Sequence, residues 1–375
     1  MDRINKLFDQ KRRQIAGEYN KKRKVRGIIS FIITVIFWVT FLAETLELDI
    51  YCFLHSLFNN REIIILGYVL IFYLIYSIFQ TLRYYFFAYR LSRRYNLSNQ
   101  STGEWLIDNV KSFILGLIFL YLAVRSYLYL FNNYPDTWWI YYTVLASIFV
   151  VVITFILPTV LLPIFFKLES YPGSELKDRL MALIKKADVE IDDIYEINLS
   201  SKVNAANAAV MGIGSSRKVV LGDNLKDKYT YDEIEAVLAH ELGHQVHGDI
   251  FKNILMQPLI FLVISFIIYQ FWPSITQWYG YSEAGTVYTI PLLLILVSTL
   301  SWLITPIELY ISRIFEKRSD LYSIELTGSA RPLASAMAKL ADESLSPLKE
   351  SLYRRIFKLS HPPMQERVEY ILENE

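Results

Sequence analysis

Cysteine is almost missing from this chain. Cys52 stands alone among 375 residues, which excludes a disulfide framework and a cysteine-rich metal site, so any metal must be held by histidine and carboxylate. Charge of one dominant sign is also lacking: 38 Lys and Arg face 37 Asp and Glu, a net charge of +1. No internal repeat and no phosphate-binding glycine loop is present, and nothing calls for nucleic acid as a partner. Histidine is scarce, with five in all. Apolar residues, by contrast, are plentiful. They make up 53% of the chain, aromatics make up 15%, and the mean hydropathy is +0.29, a balance that fits a multi-span membrane protein.

Six apolar runs are long enough to cross a bilayer as helices: 27–43, 63–82, 112–131, 138–166, 254–272 and 286–307. The first follows a long basic leader and ends in no small-residue cleavage pattern, so it reads as a retained anchor. Lys and Arg collect in residues 1–26 and in the connection 83–111, whereas the connections around Cys52, Asn132 and Ser282 are poor in them. The positive-inside rule then puts the amino terminus in the cytoplasm, the leader against anionic lipid, and the polar segments 167–252 and 308–375 on the same side. The expected organisation is a basic cytoplasmic leader (1–26), a membrane domain of four helices (27–166) and a domain 167–375 that includes the last two spans. Arg125 within the third run reads as facing a watery cavity. Pro158, Pro163, Pro258, Pro291 and Pro306 are placed to bend three of the helices.

The polar segment before the fifth run ends in "YTYDEIEAVLAHELGHQVHGDI". Ile234, Val237, Leu238 and Leu242 recur at helical spacing, with Thr230 or Asp232 available as N-cap. A helix sets His240 and His244 one turn apart on one face, able to grip one metal ion, with Glu241 beside them to take a proton from an attacking water. His247 reads as part of a solvated turn. A third protein ligand must come from elsewhere, and "PIELYISRIFEKRSDLYSIELTG" after the sixth run supplies carboxylates. Glu316 and Asp320 share a face, so one could bind metal while the other orients a ligand imidazole. Spacing alone does not choose Glu316 over Glu325. In "NAAVMGIGSSRKVVLGDNL" two short strands flank a Gly-Ser-Ser turn. Their edge could take an extended peptide as an added strand, with Asn207 on the substrate backbone or acting only as a turn asparagine.

"HELGH", "SRIFEKRSD" and "SHPPMQER", in that order, resemble the integral-membrane zinc metallopeptidases that include the type I CAAX prenyl proteases and the HtpX stress proteases. "RRYNLSNQSTGEWLIDNVKS" and the strand pair above are similar to the CAAX branch. Taken with the six apolar runs, the resemblance implies an all-α membrane protein with about six transmembrane helices around a chamber, carrying a cytoplasmic zincin-like (gluzincin) catalytic domain with a small β region. It implies one Zn2+ per chain on His240, His244 and Glu316, Glu241 as general base, and Asp320 as partner of a zinc-bound histidine. His361 and Arg367 would face the site to stabilise the tetrahedral intermediate or the ligand glutamate. The implied activity is a membrane zinc metalloendopeptidase acting on peptides or proteins, among them prenylated C-termini. The alternatives are an HtpX-like quality-control protease and a catalytically idle scaffold or transporter. Two features depart from the eukaryotic CAAX pattern: six spans in place of seven, and Ser319 where the family usually has Ala.

Overall fold

A computed structural model describes residues 6–191 and 193–375. Six helices are long and apolar enough to cross a membrane: Gln10–Ala43, Arg61–Arg94, Thr102–Asn133, Trp138–Phe165, Asp249–Tyr279 and Val287–Thr327. Each coincides with one of the six apolar runs, and all but the fourth extend well past it into polar sequence. Their starts are chemically marked. Asn60 accepts from the backbone of Glu62 and Ile63, and Ser101 forms a reciprocal box with Glu104, each satisfying donors that a helix start leaves free.

The membrane helices pack around a core that includes Phe41, Tyr68, Phe72, Leu128 and Trp272. Their outer surfaces remain apolar and exposed, as lipid-facing surfaces must be. Between them lies an apolar cavity of about 270 Å3, with Thr143 and Ser265 on its wall joined by a 2.7 Å hydrogen bond. Pro158 sits in a π-helical turn, Leu157–Leu161, within the fourth long helix, so the helix is locally underwound there rather than broken. Arg125 takes a partner in place of the expected watery cavity: its guanidinium lies 2.7 Å from the carboxylate of Glu62.

The second core, including Leu180, Ile194, Val219, Ile234, Leu238, Leu242, Leu333 and Val368, belongs to the polar half of the chain. Its sheet has four strands, β1 (Leu168–Ser170), β2 (Ile194–Ile197), β3 (Ala208–Met211) and β4 (Lys218–Gly222), in the order β1-β2-β4-β3. β2 and β4 run parallel, while the outer strands are antiparallel to their neighbours. The β3–β4 hairpin turns through Gly214–Ser216. The basic leader does not lie free for lipid along its whole length. It continues the first long helix and docks on this half, with Arg13 2.5 Å from Asp342 and Ala16 and Tyr19 buried against Leu91 and Leu345.

Candidate metal centre

The motif helix, Tyr231–Val246, starts at Thr230, whose hydroxyl accepts from the Glu233 backbone while the Glu233 carboxylate returns a bond to the Thr230 backbone. It runs through the middle of the second core, buried on several sides by Ile234, Ala236, Leu238, Ala239 and Leu242. Against it lies the long helix Ile290–Thr327, which continues unbroken from the sixth membrane run to Glu316 and beyond. Small residues let the two approach closely. A Cβ on Gly243 would meet Ser319 Cα at 3.0 Å, and the Ser323 hydroxyl donates to the Ala236 carbonyl at 2.7 Å.

This contact brings His240, His244 and Glu316 together, with one donor atom from each inside a 4.8 Å group. The two Nε2 atoms lie 3.2 Å apart. His240 Nε2 is 3.4 Å from Glu316 Oε2 and His244 Nε2 is 3.5 Å from Glu316 Oε1. Each imidazole uses its other nitrogen on a carboxylate: His240 Nδ1 is 2.9 Å from Asp320 Oδ1, and His244 Nδ1 is 2.9 Å from Asp249 Oδ2. With each Nδ1 so committed, both Nε2 atoms and a carboxylate converge on one point, a donor set that calls for a cation, a proton or a metal ion, between them. Donors on a tetrahedral ion with bonds of 2.0–2.1 Å stand about 3.3 Å apart, so the spacing and the donor chemistry fit a metal such as zinc.

The surroundings hold these groups in place. Arg367, almost fully buried, binds Asp320 at 2.7 and 2.9 Å and lies 3.1 Å from Glu316 Oε2 and 3.2 Å from His240 Nε2. Arg318 binds Asp249. His361 is half exposed, with Nδ1 2.7 Å from Glu316 Oε2 but without hydrogen-bond geometry. Burial lowers the His244 imidazole, but the Asp249 and Glu316 carboxylates outweigh it and carry the group up to about 9. Burial acts the same way on His240, and the Asp320 and Glu316 carboxylates together outweigh it and hold the group above its ordinary value. Glu241 flanks the histidines in sequence and makes no hydrogen bond or ion pair among the described residues.

Of the other positions read from sequence, His247 turns away from the trio, bonding the Gly243 carbonyl at 2.7 Å. Glu325 is exposed, nine residues and about half a turn around the helix from Glu316. Asn207 lies at the start of edge strand β3, its carbonyl accepting from the Gly222 amide at 2.9 Å and its side chain exposed. Asp249 was not anticipated. Its contact with His244 depends on the left-handed turn at Gly248, φ 65°, which helical periodicity does not reveal.

A histidine pair and a carboxylate, converging beside a free glutamate on helices that rise from the membrane, define a membrane-embedded metallopeptidase. The chain belongs to Peptidase family M48, whose model matches residues 172–375. The model described as the CAAX prenyl protease N-terminal, five membrane helices, matches residues 2–167. Residues 10–165 contain four helices of spanning length and the 12-residue helix Leu46–Leu57. The chain is 31% identical to an uncharacterized metalloprotease, YhfN, of Bacillus subtilis, over 76% of this chain and 67% of that one. It is 26% identical to CAAX prenyl protease 1 of Saccharomyces cerevisiae, over 76% and 66%. The crystal structure of S. mikatae Ste24p superposes with a TM-score of 0.86 at 22% identity, covering 97% of this chain and 89% of that one. The protein is therefore a multi-pass membrane metallopeptidase of the CAAX prenyl protease type.

Proposed function

We propose that His240, His244 and Glu316 hold one zinc ion per chain and that the protein hydrolyses peptide bonds beside it. The observation that carries this reading is the approach of three donor atoms at 3.2, 3.4 and 3.5 Å with each imidazole backed by its own carboxylate. When bound, zinc lowers the pKa of a water towards about 7 and polarises the scissile carbonyl. Glu241 takes the proton of the attacking water and delivers it to the leaving amine nitrogen as the C–N bond breaks. Asp320 and Asp249 fix the imidazoles, with Nδ1 protonated and Nε2 free. Arg367 holds Glu316 and Asp320 in register, while His361, more exposed, donates to the oxyanion. A substrate strand adds alongside β3, where Asn207 meets its backbone.

In this reading the chain divides into the leader 1–26, which shares its helix with the first span, the membrane domain 27–166 and the peptidase domain 167–375, and the metal centre is cytoplasmic, as the Lys and Arg distribution favours. The substrate class we favour is a protein with a prenylated C-terminus. Its support is the N-terminal match and the resemblance to relatives named CAAX prenyl protease. Purified protein should carry one zinc by elemental analysis. Glu241→Gln should keep the metal and lose at least about a hundredfold in turnover, the usual size of a general-base contribution, and Glu316→Ala should lose the metal. Near-normal activity of Glu241→Gln would move the base elsewhere. Cleavage of an unmodified peptide as fast as its farnesylated form would remove the prenyl requirement and leave the peptidase.

A further inference from the structure

A cavity of about 300 Å3 opens between the end of the last membrane helix and the C-terminal arm, sharing Asp320 and Arg367 with the metal centre but lined by neither zinc-site histidine. Tyr310, Arg313 and Lys317 present one face of the helix to it, and Arg355 and Tyr370 close it from the arm. Four cations here face two carboxylates. Arg367 takes Asp320, and Glu366 binds Arg355 through two bonds of 3.1 and 2.7 Å. Arg313 donates only to the backbone carbonyls of Arg355 and Leu359, and Lys317 lies over the Tyr370 ring, 5.3 Å from its centroid. Neither has a carboxylate partner among the described residues. Two positive charges are thus gathered in one cavity without an anion.

The rim indicates which anion fits. Leu303, Ile307, Tyr310 and Ile314 form an exposed stripe that runs from the membrane run up to the cavity. On its other side the short helix Leu352–Phe357 exposes Leu352 and Tyr353, by 72% and 53%, while its Phe357 stacks on Trp302 with ring centroids 4.8 Å apart. Apolar surface continuous with a span, ringed by Trp, Tyr and cations, belongs at a bilayer interface. Arg313 and Lys317 stand roughly 9 and 15 Å past Ile307 at 1.5 Å per residue. Helical side chains lean towards the N-terminus, here the membrane, so both reach back to headgroup depth.

We propose that this cavity binds the phosphate of an anionic phospholipid, drawn from the leaflet on the metal-site side. The chemistry is that of any phosphate, and the membrane rim assigns the source to lipid rather than to free phosphate. The full chain, reconstituted in nanodiscs of phosphatidylcholine with and without phosphatidylglycerol, is examined by native mass spectrometry for retained lipid. Phosphatidylglycerol should be retained in preference to phosphatidylcholine. Lys317→Gln should weaken retention about fivefold, the effect of one interfacial cation, and Lys317→Glu should weaken it further. Arg331→Gln, which removes an exposed cation outside the cavity, should change nothing. Equal retention of the two lipids, or equal loss in the Arg331 variant, would overturn the site. Displacement of phosphatidylglycerol by millimolar inorganic phosphate, but not by chloride at the same ionic strength, would assign the cavity to soluble phosphate and overturn the lipid.

Discussion

Asp249 is five residues beyond His244 and belongs to the first turn of the next membrane helix, yet its carboxylate orients His244 as Asp320 orients His240. Loss of such a partner typically costs 10–100-fold in metal affinity. Asp249→Asn should therefore weaken zinc binding by about that factor in a chelator competition, and undiminished affinity would reduce the contact to packing. The sign of the pH effect follows from the carboxylates around His244. Asp249, together with Glu316, raises His244 to about 9 against the effect of burial, so at neutral pH the imidazole is protonated, zinc must displace that proton, and affinity should fall as the pH is lowered. The meeting of His240, His244 and Glu316 was legible because the first two share a helix face and the third lies on a helix with its own sequence signature. Spacing left Glu325 open, the resemblance put Glu316 in the metal set, and Glu325 is exposed in the structure. Asp249 remained hidden because a two-residue joint, not a period, carries it to the ring.

At the scale of elements, the site depends on how closely two helices can pack. Gly243 faces Ser319, one turn beyond Glu316, and any side chain at 243 would press on backbone. Gly243→Ala should part the helices by several tenths of an ångström, cost about 1–3 kcal/mol, and lower metal affinity without loss of helix content by circular dichroism. Gly17→Ala, where an added Cβ meets nothing within 4 Å, is the matched control. Unaltered metal binding in the Gly243 variant would mean that the contact does not set the site. The strand pair around Gly-Ser-Ser and the six long helices were readable from turn chemistry and apolar length. The docking of the leader was not, because Arg13, Ala16 and Tyr19 find their partners more than 70 residues away, many of them near residue 342, and basic composition alone pointed to lipid.

At the scale of the whole molecule, the two ligand-bearing segments meet only if the chain crosses the membrane an even number of times between them. Residues 249–279 and 287–327 provide two such helices. With Cys52, which is exposed, first replaced by serine, a cysteine at Glu283 should react with an impermeant reagent from outside and one at Lys226 only after permeabilisation. Reaction of both from one side would separate the histidines from Glu316 and undo the site. The helix Ile290–Thr327 has a further consequence, because it is at once membrane span and ligand carrier. It acts as a rigid lever whose lower arm is immersed in lipid. From mid-span to Glu316 is roughly 30 Å at 1.5 Å per residue, so a tilt of only about 5° would swing the carboxylate by more than 2 Å relative to a fixed neighbour. The histidines hang from a different span through the joint at Gly248, so such a tilt would strain the close contact at Gly243 and Ser319 that holds them beside Glu316. Lipids of unmatched length tilt spanning helices. Turnover should therefore peak at one acyl-chain length and decline in both thinner and thicker bilayers, making the enzyme a gauge of the membrane in which it sits.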